Sequence, residues 1–529
     1  MRDVPVETRR KPSTQAAQLH NPGPALARFR ATLASLLAAA SLTVLGLAAS
    51  AGPGDDLPDI GTPADTALSQ NDEYQIGLMV IKGLRDAGQI LEDPEATEYL
   101  QSIGSRLATH ATEGHVPFQF FVVKDHTINA FALPGGFVCV NSGLILATAN
   151  ESELAGVMAH EIAHVTQRHI ARGIRAQSKS GMASAAALLA AILIGAATGS
   201  ADAAQAGIVL AQGAAAQQQL NFSRAAEYEA DRVGITYMGA AGFDARAMPA
   251  FFDTLNRKSG GPGRVPEFLQ DHPVTSNRIA EAKNRADQMP KIKATDSVSF
   301  ALVRERLRVF ALDDGGDPVE SYRRAAISAN APGDSRQYGD ALARIEGGHA
   351  DTATVELAQL IQQHDDVILY RSAYGQALAK SGDVPGALRS FETAMGLFPR
   401  NVPLTVRYAE TLLGAGQADK AHHVLLDLFN VVPPTPDQIR LTALAANSAG
   451  DVADAYFYMS EYHIVGGDLA LAASQLQMAL AVPGLTQIQR ARFQARLEQI
   501  REVLPKNQRV NYGEPSPPPQ EPAPGSGPG

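Results

Sequence analysis

Glu151-Ser-Glu-Leu-Ala-Gly-Val-Met-Ala-His160-Glu161-Ile-Ala-His164 is the stretch on which the reading of this chain turns. It is rich in good helix formers, and Leu154, Val157, Met158, Ile162 and Val165 recur at the spacing of a core-facing helical stripe. On a helix, residues four apart lie one above the other, so His160 and His164 can each aim a ring nitrogen at one ion. Glu161 then stands beside a water on that ion. Such a set serves metal-assisted hydrolysis: zinc acidifies the water and polarises a peptide carbonyl, while the glutamate takes the proton and returns it to the leaving amine.

A hydrolytic zinc needs a third protein ligand and one open position. Ser223-Arg-Ala-Ala-Glu227-Tyr-Glu-Ala-Asp231-Arg-Val-Gly234 offers Glu227 and Asp231, four apart on one helical face. That suits one carboxylate on the metal and the other behind it, orienting a histidine. Taken alone, the pattern also fits a charged, solvated helix face. Glu229 points elsewhere. His169 stands about 140° further round a continuous helix than His164, which suits a surface or supporting place.

Pro134-Gly135-Gly136 is a strong turn signal, and the β-prone run Phe137-Val-Cys-Val-Asn141 after it predicts a strand. Beside the metal, such a strand would let an extended peptide add to the sheet edge through main-chain hydrogen bonds, giving broad specificity; an ordinary core strand is the alternative. Cys139 is the one cysteine, so no intramolecular disulfide forms, and within this run it reads as a small buried hydrophobe rather than a nucleophile.

Four segments now stand in order along the chain: Asn129-Ala-Phe-Ala-Leu-Pro134-Gly-Gly-Phe-Val-Cys-Val-Asn-Ser-Gly143, His160-Glu-x-x-His164-Val-Thr-Gln-Arg168-His169, Ser-Arg-x-x-Glu227-x-Glu-Ala-Asp231 and His272-Pro273-Val-Thr-Ser-Asn-Arg278-Ile279. Together they resemble the HtpX/BepA-type gluzincin peptidases, relatives of the CaaX prenyl proteases. The resemblance implies an α+β domain, mainly helical with a small β-sheet, and one zinc ion held by His160, His164 and Glu227. It implies Glu161 as the base and Asp231 as a support for the ligands. For His272 it implies either a fourth zinc ligand that holds the enzyme latent, as in the periplasmic branch of the family, or a group steadying the tetrahedral oxyanion. Arg278 and Asn129 are its candidates for positioning substrate, with Arg278 alternatively positioning a loop.

The 529 residues suffice for two or three domains, and 45% apolar content is that of a globular protein. A net charge of -10 with no basic stripe argues against nucleic acid as a partner. Arg28-Phe-Arg30 precedes an apolar stretch from Leu33 to Ala49, and Ala49-Ser50-Ala51 offers a small-residue cleavage site; this reads as a secretory signal, or as an anchor if it stays uncut. Met182 to Thr198 and Ala203 to Ala216 are small-residue apolar runs, each shorter than a bilayer span. They read as a helical hairpin, packed over the site or touching a membrane or partner.

Gly348, Gly382, Gly416 and Gly450 recur every 34 residues, each followed five residues later by Ala353, Ala387, Ala421 and Ala455. That is the signature of tetratricopeptide (TPR) repeats, which predicts an all-α solenoid for binding peptides or protein partners. Gly467-Asp468 and Ala472 repeat the signal half a period later, so one helix should serve two neighbouring pairs. The expected organisation is an N-terminal extension and signal over 1–51, a peptidase domain over 52–290, a linker over 291–319, repeats over 320–503 and a disordered Pro-rich tail over 504–529. With the resemblance, this implies a periplasmic zinc endopeptidase acting on unfolded or misassembled envelope proteins, its repeats engaging outer-membrane assembly machinery. A chaperone or scaffold with a largely latent site is the alternative.

Overall fold

The computed structural model describes residues 68–111, 116–177, 224–259, 265–311, 316–329, 331, 333–430 and 432–504. The signal segment, the 182–216 runs, residues 312–315 of the expected linker and the tail beyond 504 lie outside the described residues. The first module runs α1 (Gln70–Asp86), α2 (Pro94–Ala108), β1 (Gln119–Val123), β2 (Ala130–Leu133), β3 (Phe137–Asn141), α3 (Ser142–Ala147), α4 (Glu151–Thr166), α5 (His169–Gln177), α6 (Arg224–Ala240), α7 (Ala247–Ser259), α8 (Glu267–Asp271) and α9 (Ser276–Gln288). It is an α+β module with one three-stranded sheet.

The strand over 137–141 forms as its sequence predicts, yet it is the centre of the sheet and not an edge. The turn at 134–136 folds β2 back antiparallel on β3, while β1 takes the other side in parallel. Both rows of β3 main-chain groups are thereby used, and all five residues are buried. An extended substrate cannot add there. Ile90 bridges to Val123 on the outer side of β1, whereas β2 packs beside α4 and has no second strand partner among the described residues.

Helix α4 carries the His-Glu-x-x-His pentapeptide. The Asn150 side chain caps it by accepting from the Glu153 amide, and Glu151 and Glu153 in the first turn complement the helix dipole. Rather than presenting one apolar stripe, α4 is buried on almost every side, wedged among α2, α6, α7 and β2. Its small and apolar residues all round the helix fit that central place. Gly234 on α6 permits close approach: a Cβ there would lie 3.1 Å from the His160 main-chain nitrogen. The spacing brings Glu227 up to the histidines.

The expected linker contains a helix, α10 (Val298–Phe310). Phe300, Val303 and Leu307 close the peptidase core, while Leu302 and Val309 on the same helix enter the core of the repeats. Its interleaved Arg304, Glu305, Arg306 and Arg308 hide that two-sided burial from a reading of composition.

After α11 (Pro318–Ser328) come α12 (Gly333–Glu346), α13 (Ala350–Gln363), α14 (Ile368–Lys380), α15 (Val384–Leu397), α16 (Val402–Gly414), α17 (Ala418–Phe429), α18 (Pro436–Ser448), α19 (Val452–Val465), α20 (Leu469–Ala481) and α21 (Gln487–Val503). Gly348, Gly382, Gly416 and Gly450 make the turns between paired helices, with φ of 78°, 93°, 73° and 87°, a region that glycine enters without steric cost. Gly467 repeats the turn with φ of 76°, so the same glycine turn stands on either side of α19, as the half-period signal predicts.

The repeats grip the peptidase module through charge. Asp93 and Glu95, at the start of α2, accept from Arg306 of α10 and Arg407 of α16, and Ser372 of α14 donates to Glu95 at 2.6 Å. Arg306, Asp93 and Glu95 are all buried. Among the described residues, no helix is long and apolar enough to cross a membrane.

Candidate metal centre

His160 and His164 on α4, Glu227 on α6 and His272, the residue that ends α8, converge on one point. Each offers one ligand atom, and these atoms lie within 4.8 Å of one another. His160 Nε2 is 3.0 Å from His164 Nε2 and 3.3 Å from His272 Nδ1. Glu227 oxygens stand 3.6 Å from both α4 ring nitrogens and 3.2 Å from His272 Nδ1. Four atoms at tetrahedral angles and about 2.0–2.1 Å from a zinc would be separated by roughly 3.3–3.4 Å, so the spacing fits.

Charge fits as well. The carboxylates of Glu161, Glu227 and Asp231 are buried together with one guanidinium, Arg278, and with the imidazoles neutral, as metal ligation requires, this leaves two negative charges that a divalent cation would balance. Neither Glu161 oxygen has a hydrogen-bond partner of regular geometry among the described residues. Facing that carboxylate are His272 Nε2 at 3.5 Å and the Ala132 amide of β2. Burial pushes the Glu161 carboxyl above its usual range.

The remaining ring nitrogens are held from behind. His160 Nδ1 lies 3.0 Å from Asp231 Oδ1. Burial works against protonation of His160, but Asp231 and Glu227 outweigh it and hold the ring up at about 9. His164 is pushed well below its usual value, by burial first and by the charge on His160 next.

Arg278, a sequence candidate for positioning substrate, is 2% exposed and committed elsewhere. Its Nε and Nη2 donate to the two Asp231 oxygens at 2.7 and 2.8 Å, and its Nη1 donates to Glu227 at 2.6 Å and to the Pro273 carbonyl at 3.1 Å. These bonds orient the carboxylates and tie down the turn after His272 rather than reaching outward. Asn129 is likewise turned inward, donating to Asp271 at 3.1 Å while its oxygen accepts from the Ala130 amide. With the Phe268 amide bonded to the Ile128 carbonyl at 3.1 Å, it fastens α8 and therefore His272. Phe268 also stacks on the His272 ring at 4.8 Å. Cys139 is buried and its thiol is pushed upward by burial, consistent with a packing role.

Sequence reasoning set aside His169 and Glu229, and the structure brings both to the site. His169 Nδ1 is 2.9 Å from His164 Nδ1, and its Nε2 is 3.1 Å from Glu229.

Helix-borne histidines and a carboxylate from a second helix, packed on a small sheet and followed by helical repeats, define a metallopeptidase joined to a protein-interaction module. Residues 94–286 match peptidase family M48, and residues 378–447 match the tetratricopeptide repeat. Over 447 residues the chain is 33% identical to the putative beta-barrel assembly-enhancing protease of Vibrio cholerae, covering 84% of this chain and 92% of that protein. Identity to the beta-barrel assembly-enhancing protease of Escherichia coli is 32% over 480 residues, covering 89% and 96%. A mitochondrial metalloendopeptidase of Schizosaccharomyces pombe is 31% identical over 183 residues, covering 35% of this chain and 51% of that one. The chain belongs to peptidase family M48.

Proposed function

We propose that the chain is an exported, zinc-dependent endopeptidase that cleaves unfolded or misassembled envelope proteins in outer-membrane β-barrel protein quality control. The convergence of His160, His164, Glu227 and His272 on one point carries the chemistry. The setting is supported by relatives named beta-barrel assembly-enhancing proteases, matched over nearly their whole length, and the compartment by the signal-like segment at 28–51.

His160, His164 and Glu227 would hold the zinc, with Asp231 and Arg278 orienting His160 and Glu227. When bound, zinc supplies Lewis acidity, polarising the scissile carbonyl and acidifying a water. Glu161 accepts that water's proton and passes it to the departing amine; its raised carboxyl pKa makes it the stronger base for the first of these transfers. The outer side of β2 offers main-chain groups to an extended peptide, a mode that reads backbone more than side chains. Zinc-loaded full-length protein is expected to degrade an unfolded outer-membrane β-barrel protein, to stop on chelation and to resume when zinc is returned. Failure to cleave in every metal state, with the His272→Ala variant equally inert, would overturn the reading.

A second reading is favoured by the same site. His272 Nδ1 stands where a fourth ligand would be, and all four side chains are nearly fully buried, so the resting chain would be latent and its repeats would act as a scaffold or chaperone. Complementation separates the two: full restoration of envelope integrity by Glu161→Gln would make binding the physiological activity.

A further inference from the structure

We propose that His169 and Glu229 form a positioning relay that fixes the tautomer and orientation of His164, and that the left-handed residue Arg168 brings this relay into place. The inference rests on the reading of His164 as a metal ligand.

His164 turns Nε2 toward the cluster, 3.0 Å from His160 Nε2 and 3.6 Å from Glu227. A ligating nitrogen carries no proton, so the neutral ring keeps its proton on Nδ1. His169 Nδ1, 2.9 Å away, is placed to accept it. To accept there, His169 must carry its own proton on Nε2, which lies 3.1 Å from Glu229 Oε2. Each donor then meets an acceptor from Glu229 through to the metal-facing nitrogen. Arg172 Nη1 donates to the same Glu229 oxygen at 3.0 Å and anchors the far end. The arrangement does for His164 what Asp231 does for His160, by way of an interposed imidazole.

Backbone geometry explains how this comes about. In an unbroken helix His169 would lie about 140° away from His164. Helix α4 instead ends at Thr166, Arg168 takes φ of 50°, and α5 begins at His169. The reversal swings His169 back onto His164, and its side chain is 1% exposed. A left-handed backbone is disfavoured for any residue with a Cβ, so something must hold it. Arg168 Nη2 donates to the Leu68 carbonyl at 2.8 Å and lies 3.2 Å from the Glu73 carboxylate.

The test is the zinc dissociation constant of the purified full chain, measured by chelator competition for wild type, His169→Leu and His169→Asn, together with the thermal midpoint of each metal-free protein. Outer partners of ligating histidines typically change metal affinity by about 10- to 100-fold, and His169→Leu is expected to weaken zinc binding by that much. His169→Asn places an amide oxygen near the lost Nδ1 and should restore most of the affinity, while the metal-free midpoints of the two variants stay alike. Equal zinc affinity of the Leu variant and wild type overturns the relay, as does an Asn variant as weak as Leu. A wild-type chain that takes up no zinc overturns the metal site and the relay with it.

Discussion

Glu161 is fully buried beside the two helical histidines, with neither oxygen regularly hydrogen-bonded among the described residues. Glu161→Gln preserves its size and removes its basicity, so the variant should take up zinc like wild type and lose at least about 100-fold in turnover of an unfolded test protein. Undiminished turnover in a protease-free preparation refutes the assigned base. His272→Ala opens the fourth corner of the cluster and is expected to raise turnover in the same assay; a fall would instead favour an oxyanion role. At this scale the cluster that could hold a metal was legible in part because His160 and His164, and likewise Glu227 and Asp231, sit four positions apart on one helix, where sequence spacing is spatial spacing. Arg278 was not, since its partners Asp231 and Glu227 lie 47 and 51 residues away. Of the surface and supporting places open to His169, it takes the supporting one because the helix breaks at Gln167–Arg168, where neither glycine nor proline announces the break.

Helices and strands follow local pattern, but their neighbours do not. The length of β3 was readable from five β-prone residues after a turn, whereas its place between β1 and β2 depends on a pairing with residues 119–123 that no local signal carries. Among the repeats the period was explicit, because the same turn recurs and requires the same glycine. At Gly382, φ is 93° and no heavy atom lies within 4 Å of an added Cβ, so Gly382→Ala should cost about 1–2 kcal/mol through backbone conformation alone. Gly375 faces a different obstacle, as a Cβ there would sit 2.4 Å from the Phe391 ring. Overpacking at Gly375→Ala is expected to cost about 1–3 kcal/mol. Urea denaturation of both variants checks the two figures, and a neutral Gly375→Ala would show the α14–α15 contact to be looser than described.

Across the whole molecule, α10 and the Asp93–Glu95–Arg306–Arg407 group join the peptidase and repeat modules, and neither was foreseen as a joint. Removing one member of a buried ion group leaves an uncompensated charge, at a cost of about 3–5 kcal/mol. Arg306→Met should therefore lower the thermal midpoint and split a joint unfolding transition into two; a single unshifted transition would show that the modules are coupled otherwise. Burial works to raise the Glu95 carboxyl, but Arg306 and Arg407 more than offset it and hold it well below the usual range. A lowered folded pKa stabilises fully above the unfolded value of 4.5 and is lost as pH falls below it. The wild-type midpoint should consequently drop more steeply than that of Glu95→Gln between about pH 5 and about pH 3. Since α14 and α16 are occupied with the chain's own α2, protein partners of the repeats would have to use other surfaces or displace it.

The most direct experiment is an anomalous difference map at the zinc absorption edge from crystals of the zinc-loaded full chain. A single peak is predicted, about 2.0–2.1 Å from His160 Nε2, His164 Nε2 and a Glu227 oxygen. Stoichiometric zinc located elsewhere, with no peak among those three side chains, would contradict it.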